Sequence, residues 1–174
     1  LRIARFKEKI MEVMVPKTHW EVECRDVAGD LQWVEFYENL VTDAGINDLL
    51  TQYFKGGGYT AAWYIGLINN PATLSAADTS ASHAGWTENT NFDGASRPTL
   101  VLGPTGNKTM NNSASKAIFT INGSGGTISG TFLCTNPQKG ATTGILYSEA
   151  AFASGNKTLV AGDVLTVTVT ISAS

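Results

Sequence analysis

Two histidines, two cysteines and a scatter of carboxylates are the residues of this chain that could do chemistry. His83 lies near Asp78, Glu88 and Asp93, a combination that could make a metal or acid–base site. A histidine-based metal site draws its ligands from short, regular spacings, and neither HxxxH nor CxxC occurs. His19 stands alone at the start of a strand pattern. There is no GxSxG, so no nucleophile elbow is readable. The glycine clusters at 56–58 and 123–126 lack the Lys-Ser/Thr ending of a phosphate loop, and no DxDxDG calcium loop is present. Glycoside hydrolysis needs two facing carboxylates. Glu21 and Glu23 fall on the wet side of a strand pattern, and Glu88, Asp93 and Glu149 are isolated in sequence. The residues therefore assign no catalytic, cofactor-binding or metal-binding role, and no cofactor is expected. Cys24 and Cys134 read as small buried hydrophobes, or as a bonded pair if their strands meet across the core. Trp20, Trp33 and Trp63 sit in alternating patterns that suit a core or a subunit interface. Trp86, in a long polar segment, is the tryptophan left for a partner or a sugar.

The elements that must position these residues are mostly strands. Trp20, Val22 and Cys24 alternate with Glu21, Glu23 and Arg25, which predicts a half-buried strand over 18–26. Ala28-Gly29-Asp30 then turns the chain into a returning strand over 31–37. Further strands are predicted over 63–68, 99–102, 117–121, 127–134, 144–152 and 164–171, bounded by Gly, Pro or Asn clusters, about eight in all. In the last of these the valines are expected to face the core and the threonines to face outward. One helix is predicted over 43–54. Thr42 caps its first turn and Asp43 sits at its positive end. Ile46, Leu49, Leu50, Tyr53 and Phe54 follow one helical stripe. That stripe is expected to pack on a sheet through Ile46, Leu49, Leu50 and Phe54, so that Leu50→Ala costs about 2–5 kcal/mol. Lys55 and Gly56-Gly57-Gly58 close the helix. Residues 72–96 form a polar, turn-rich stretch with no assigned element, and long loops are often functional.

Composition narrows the classes. The chain has 174 residues, a net charge of −3 and a charged fraction of 16%. Its size suits one domain, and its negative charge argues against non-specific nucleic-acid binding. No run of 18 apolar residues offers a transmembrane helix, and no secretion-signal pattern is visible, so no membrane partner is expected. Thr, Gly, Ser and Asn make up 63 residues, a composition of short strands and turns. Residues 1–40 hold 14 of the 27 charges, so a charged N-terminal part precedes a nearly uncharged body. The reading is an arm over 1–16 and a single domain over 17–174. In the arm Ile3, Phe6 and Ile10, with Val13 and Met14, lie at helical spacing before Pro16. They are candidate partner contacts, for a sister subunit or a larger assembly, unless the arm is an incidental extension.

Several stretches carry a resemblance. Glu38-Asn39-Leu40-Val41-Thr42-Asp43-Ala44-Gly45-Ile46-Asn47-Asp48-Leu49-Leu50 resembles a stretch found in structural proteins of tailed bacteriophages. The stretches at 62–67, 77–88, 115–121, 130–134 and 142–144 resemble the same kind of protein. The resemblance implies a virion component, foremost a capsid decoration (cement) protein with a jelly-roll-like antiparallel β-sandwich. Its implied partners are the major capsid protein of the same phage and further copies of this chain. It would be made in the host cytoplasm and reside on the capsid surface. A tail, neck or fibre component that binds a receptor or glycan is the alternative, and a small carbohydrate-active enzyme or lectin a third. The family offers no catalytic motif to carry over.

Overall fold

The computed structural model describes residues 16–55, 58, 62–69 and 73–173. The chain runs β1 (Pro16–Arg25), β2 (Leu31–Glu38), β3 (Leu40–Val41), α1 (Asp43–Lys55), β4 (Tyr64–Asn69) and β5 (Thr87–Asn89). It continues through β6 (Thr109–Asn111), β7 (Ala117–Thr120), β8 (Gly126–Cys134), β9 (Leu146–Ala151), β10 (Lys157–Leu159) and β11 (Val164–Ala173). Two antiparallel sheets pack face to face as a β-sandwich, and α1 is the single helix among the described residues. The first sheet has the order β2-β1-β11, with β6 and β7 both paired to β11. The second has the order β3-β9-β8-β4-β5, with β10 paired to β8. Ile3, Phe6 and Ile10 lie outside the described residues, and β1 already begins at Pro16.

Alternation builds the first sheet. Trp20, Val22 and Cys24 of β1 stand in register with Val169, Val167 and Leu165 of β11, and all six are buried. Glu21 and Glu23 face outward opposite Thr168 and Thr166. Asn112 bridges the gap between β6 and β7. Its amide donates to the Val167 carbonyl at 3.1 Å and accepts from the Val169 N–H at 2.7 Å. From the second sheet Ile65, Leu67, Ile128, Leu133, Tyr147 and Ala150 meet this core. The Tyr37 hydroxyl hydrogen-bonds Thr131 Oγ1 across it at 2.9 Å. That pairing satisfies the one polar end that a buried tyrosine carries inward.

The second sheet differs because both its faces are covered. Ile68, Phe132, Cys134 and Leu146 point away from the main core and form a smaller cluster with Trp86. Residues 73–86 lie over that outer face. Strand β4 is consequently buried on both sides over Ile65–Ile68, and Gly66 makes room for the Phe132 ring, which a Cβ there would overlap. The two cysteines are free and buried. Cys24 belongs to the main core and Cys134 to the outer cluster, so the second sheet separates them.

The helix keeps its expected bounds but not its expected seat. The Gly45 N–H donates to Thr42 Oγ1 at 3.1 Å, the capping bond expected of Thr42. The Thr42 N–H donates to the Tyr147 carbonyl at 3.0 Å, which ties the helix start to β9. Gly45 lies against the Tyr147 backbone, where a Cβ would overlap the carbonyl oxygen. The face turned to the body is therefore the row Gly45, Asp48, Gln52, with Leu49 at its edge. The apolar stripe is rotated off the sheet: Leu49 is 38% exposed, Leu50 48%, Tyr53 80% and Phe54 74%. The packing expected of Leu50 and Phe54 is overturned, because a close backbone approach at Gly45 fixes the rotation of the helix. Two further differences are local. Residues 99–102 form an isolated bridge, Tyr64 to Thr99, in place of a strand, and the strand expected from 144 begins at Leu146.

Two substitutions separate these helix orientations. Alanine improves on glycine by about 1 kcal/mol in a free helix. Gly45→Ala is nonetheless expected to destabilise the chain by about 1–3 kcal/mol through overlap with the Tyr147 carbonyl. Leu50→Ala is expected to cost under about 1 kcal/mol, because half its side chain is already wet. Urea unfolding midpoints measure both. A larger loss for Leu50 than for Gly45 would restore the buried stripe.

Candidate functional site

The outer face of the second sheet gathers a group of buried ionisable side chains, Glu149, Glu88, Arg97 and Cys134. At its centre is Glu149 of β9, fully buried beneath residues 73–86. Strand alternation points it outward beside Phe132, its cross-strand neighbour. One carboxyl oxygen accepts the Ser75 N–H at 2.8 Å, and the other accepts the Trp86 indole N–H at 2.7 Å. Asp78 faces the same carboxyl group. Burial pushes Glu149 up to about 7. The Ser75 and Trp86 hydrogen bonds pull the other way, and the nearby Asp78 carboxylate adds to the rise. Asp78 Oδ2 is buried and has no hydrogen-bond donor among the described groups. Only in its protonated form does Glu149 carry a hydrogen that can be donated to Asp78.

Trp86 is 5% exposed, stacked between His83 and the Phe132 side of the sheet. The His83 ring lies parallel to the indole at 3.9 Å, and His83 Nδ1 bonds the Trp86 carbonyl at 3.0 Å. Trp86 was expected as a partner contact because it lies in a loop. Its ring is instead enclosed on both faces and its N–H is engaged, so it presents no free stacking platform.

A second ionic group holds the far end of the same segment. Arg97 makes a two-armed pair with Glu88, at 2.8 and 2.7 Å, and both side chains are almost fully buried. The guanidinium also donates to the Asn136 carbonyl at 2.8 Å and to Cys134 Sγ at 3.2 Å, and sits 5.0 Å over the Phe132 ring. Glu88 accepts the Gly140 N–H at 2.6 Å. Burial works against the Arg97 charge, but the Glu88 hydrogen bonds outweigh it and hold the guanidinium protonated. Burial likewise pushes the Cys134 thiol up, against the pull of Arg97. A raised thiol is a poor nucleophile.

Between these groups lies a cavity of about 190 Å3, lined by His83, Trp86, Glu88, Arg97, Cys134 and Thr142 among others. Binding pockets for small molecules are usually larger, about 300–1,000 Å3. Glu149 does not line it, and Arg97 and Glu88 are occupied by each other. The sequence-level grouping of Asp78, His83, Glu88 and Asp93 is taken apart: Asp78 faces Glu149, His83 stacks on Trp86, Glu88 pairs with Arg97, and Asp93 accepts from Asn122 at 3.0 Å. Among the described residues no three His, Cys, Asp or Glu side chains gather around a common point. The carboxyl pair Asp78–Glu149 was missed because its members are 71 positions apart in sequence. What this arrangement does chemically is hold a loop.

The apolar surfaces are the other candidate. Beside α1 runs a groove of about 220 Å3 between Asp48, Leu49 and Gln52 of the helix and Trp63, Leu102 and Tyr147 of the body, and Leu50, Tyr53 and Phe54 lie outside it. On the outer face of the first sheet, Phe36 is 69% exposed and pairs across to Glu21, while Ile118 stands opposite Thr166. No helix among the described residues is long and apolar enough to cross a membrane.

The Glu149 carboxyl sets a pH dependence. Its folded value is raised above the ordinary 4.5 to about 7, so the folded chain holds a proton that the unfolded chain releases. The stability this contributes is full below about pH 4.5 and lost as the pH rises through about 7, at a slope of up to about 1.4 kcal/mol per pH unit. Glu149→Gln keeps the shape and a donor for Asp78, and should flatten the dependence. Urea midpoints from pH 4.5 to 8 read the effect. A variant that keeps the original slope would assign the titration to another group. No family model, curated protein or solved structure matches this chain, so its own residues carry the functional argument.

Proposed function

We propose that this chain is a non-enzymatic structural protein of a tailed-bacteriophage particle. In this reading it binds the major capsid protein as a decoration (cement) protein, in several copies, and stabilises the shell. The observation that carries the reading is the exposed apolar side of α1, Leu50, Tyr53 and Phe54, with Phe36 and Ile118 exposed singly at opposite edges of the first sheet's outer face. A cement protein works by bridging neighbours, so it needs apolar side chains left uncovered on more than one side. Burying one large apolar side chain contributes about 1.5–3 kcal/mol, so each copy holds modestly and the repeated array holds strongly. The polar groups that a reaction would use are partnered within the chain: Glu149 with Ser75 and Trp86, Arg97 with Glu88.

The resemblance to phage structural proteins supports the same reading, because its most distinctive stretch, Glu38–Leu50, contains both the anchor and part of the exposed surface. Asn39 accepts the Thr18 N–H at 3.0 Å, Thr42 caps α1, and Gly45 sits on Tyr147. Leu49 and Leu50 then open the helix face.

Copy number in purified particles of the encoding phage tests the proposal. Decoration of a shell requires on the order of hundreds of copies, reflecting repeated symmetric sites. Heads lacking the protein should open at a lower temperature and regain stability on its addition. A copy number of about a dozen or fewer would place the chain in the neck or tail, where rings of low symmetry sit. Absence from the particle would overturn the reading entirely.

A further inference from the structure

We infer that residues 73–86 form a pH-released strap. It lies closed over the outer face of the second sheet while the Asp78–Glu149 carboxyl pair keeps a proton, and lifts off Ile68, Phe132 and Leu146 when that proton leaves.

The strap can move as one piece. Its neck is closed by the Thr73 N–H, which donates to the Gly85 carbonyl at 3.2 Å. Within it the Asp78 N–H donates to the Ser75 carbonyl at 2.9 Å, and Thr79 and Ser82 exchange backbone bonds at 2.9 and 3.1 Å. These bonds start and end inside the segment, so lifting it breaks none of them. Among the described residues three hydrogen bonds tie it to the rest of the chain. The Ser75 N–H and the Trp86 indole N–H end on Glu149, and the Ala76 carbonyl accepts from the Asp43 N–H of α1. Leu74 and Trp86 supply the apolar part of the hold.

Glu149 is where that hold depends on pH. Its side chain is fully buried, and Asp78 faces it with a buried Oδ2 that has no donor among the described groups. With one proton, Glu149 can donate to Asp78 and the pair carries one charge. Without it, two negative charges face each other away from water. Interacting carboxyl groups lose their protons in two steps that belong to the pair, and the second loss is the one that repels.

The other surroundings of Glu149 do not relieve that repulsion. Opposite it across the strands stand Phe132 of β8 and Leu40 of β3, neither of them ionisable. Beyond the Phe132 ring, Arg97 is taken up by Glu88, and Cys134 is the remaining titratable group of the cluster. His83 stacks on the Trp86 ring with Nδ1 on the Trp86 carbonyl. From α1, Asp43 at the Ala76 contact brings a further negative charge.

Burial, with Asp78 adding to it, raises Glu149 from 4.5 to about 7 in the closed strap. The open strap returns the carboxyl group to water and its ordinary value. Opening is therefore rarest below about pH 4.5, eases as the pH climbs to about 7 and levels off above it, a change of up to about 300-fold. What opens is an apolar surface that the closed chain withholds from any partner.

Hydrogen exchange of the full chain between about pH 4.5 and 8.5 tests the strap. The reporters are the Ser75 and Asp43 N–H groups, whose bonds cross its edge. With the intrinsic pH dependence of exchange divided out, their opening constants should rise at least about tenfold up to neutral pH and then level. Amides of the β1–β11 ladder should stay better protected at every pH. Low urea should speed the ladder amides and leave the reporters unchanged, since a local opening exposes little surface. Glu149→Gln should abolish the rise and Asp78→Asn should shrink it, because each removes one of the two charges. His83→Gln should keep it. Each variant is read by its own rise between acid and neutral pH, so one that only loosens the strap keeps the rise. A rise retained in Glu149→Gln, an undiminished rise in Asp78→Asn, a rise lost in His83→Gln, or reporters that open only together with the ladder would overturn the inference.

Discussion

The buried Glu149 carboxyl group is the constraint on which the visible surface of this protein depends. Leaving a carboxylate charged in an apolar cluster costs several kcal/mol, so the group must be neutralised or fully hydrogen-bonded. Glu149 accepts from Ser75 and Trp86, and burial beside Asp78 raises it toward its neutral form. These partners come from residues 73–86, so satisfying one carboxyl group fixes the loop. The loop in turn reaches the helix, since the Asp43 N–H donates to the Ala76 carbonyl at 2.8 Å. The position of α1, and with it the direction in which Tyr53 and Phe54 point, follows from how β9 and this loop are held together.

The Arg97–Glu88 pair closes the other end of the same segment. A buried ion pair adds little stability against an apolar alternative of equal shape. What it contributes here is location: Arg97 reaches Glu88, Asn136 and Cys134 at once, and so ties β5, the end of β8 and the turn after it into one corner. Between two such anchors the loop has little freedom, and Trp86 and Leu74 can act as a lid of apolar packing over Ile68, Phe132 and Leu146. The second sheet thereby loses its solvent face to its own chain. The first sheet keeps a bare outer face, and the two sheets differ in what they can offer a neighbour.

Much of the sandwich was legible in the sequence, and what was not has definite physical causes. Strict alternation over Trp20–Cys24 and Leu165–Val169 needs only local pattern to read, and the helix bounds follow from Thr42 and Lys55. Strands of two or three residues such as β3, β5 and β10 carry no period, so about eight strands are expected where eleven are found among the described residues. The seat of α1 was misread because a stripe of apolar residues says that a helix has an apolar face, not what covers it. Glycine at position 45 carried the missing information, but a close backbone approach is visible only once Tyr147 is placed. Trp86 and Glu149 were misjudged for a related reason. Each looked isolated along the chain, and their bond joins β9 to a segment 63 positions away.

The helix concentrates this disagreement into one element. Local rules and tertiary structure agree across most of the chain: capping at Thr42, alternation in β1 and β11, glycine where Phe132 needs space. In α1 they part, since the residues best suited to burial stand in water while the row Gly45, Asp48, Gln52 faces the body. Such conflicts persist in folded proteins chiefly where something other than the stability of the single chain is being served. An apolar helix face that its own sheets do not cover costs solubility for as long as it stays exposed. The cost disappears when a second surface covers it. Gly45 sets the rotation, the loop held by Glu149 sets the position, and together they turn the apolar side of α1 toward solvent.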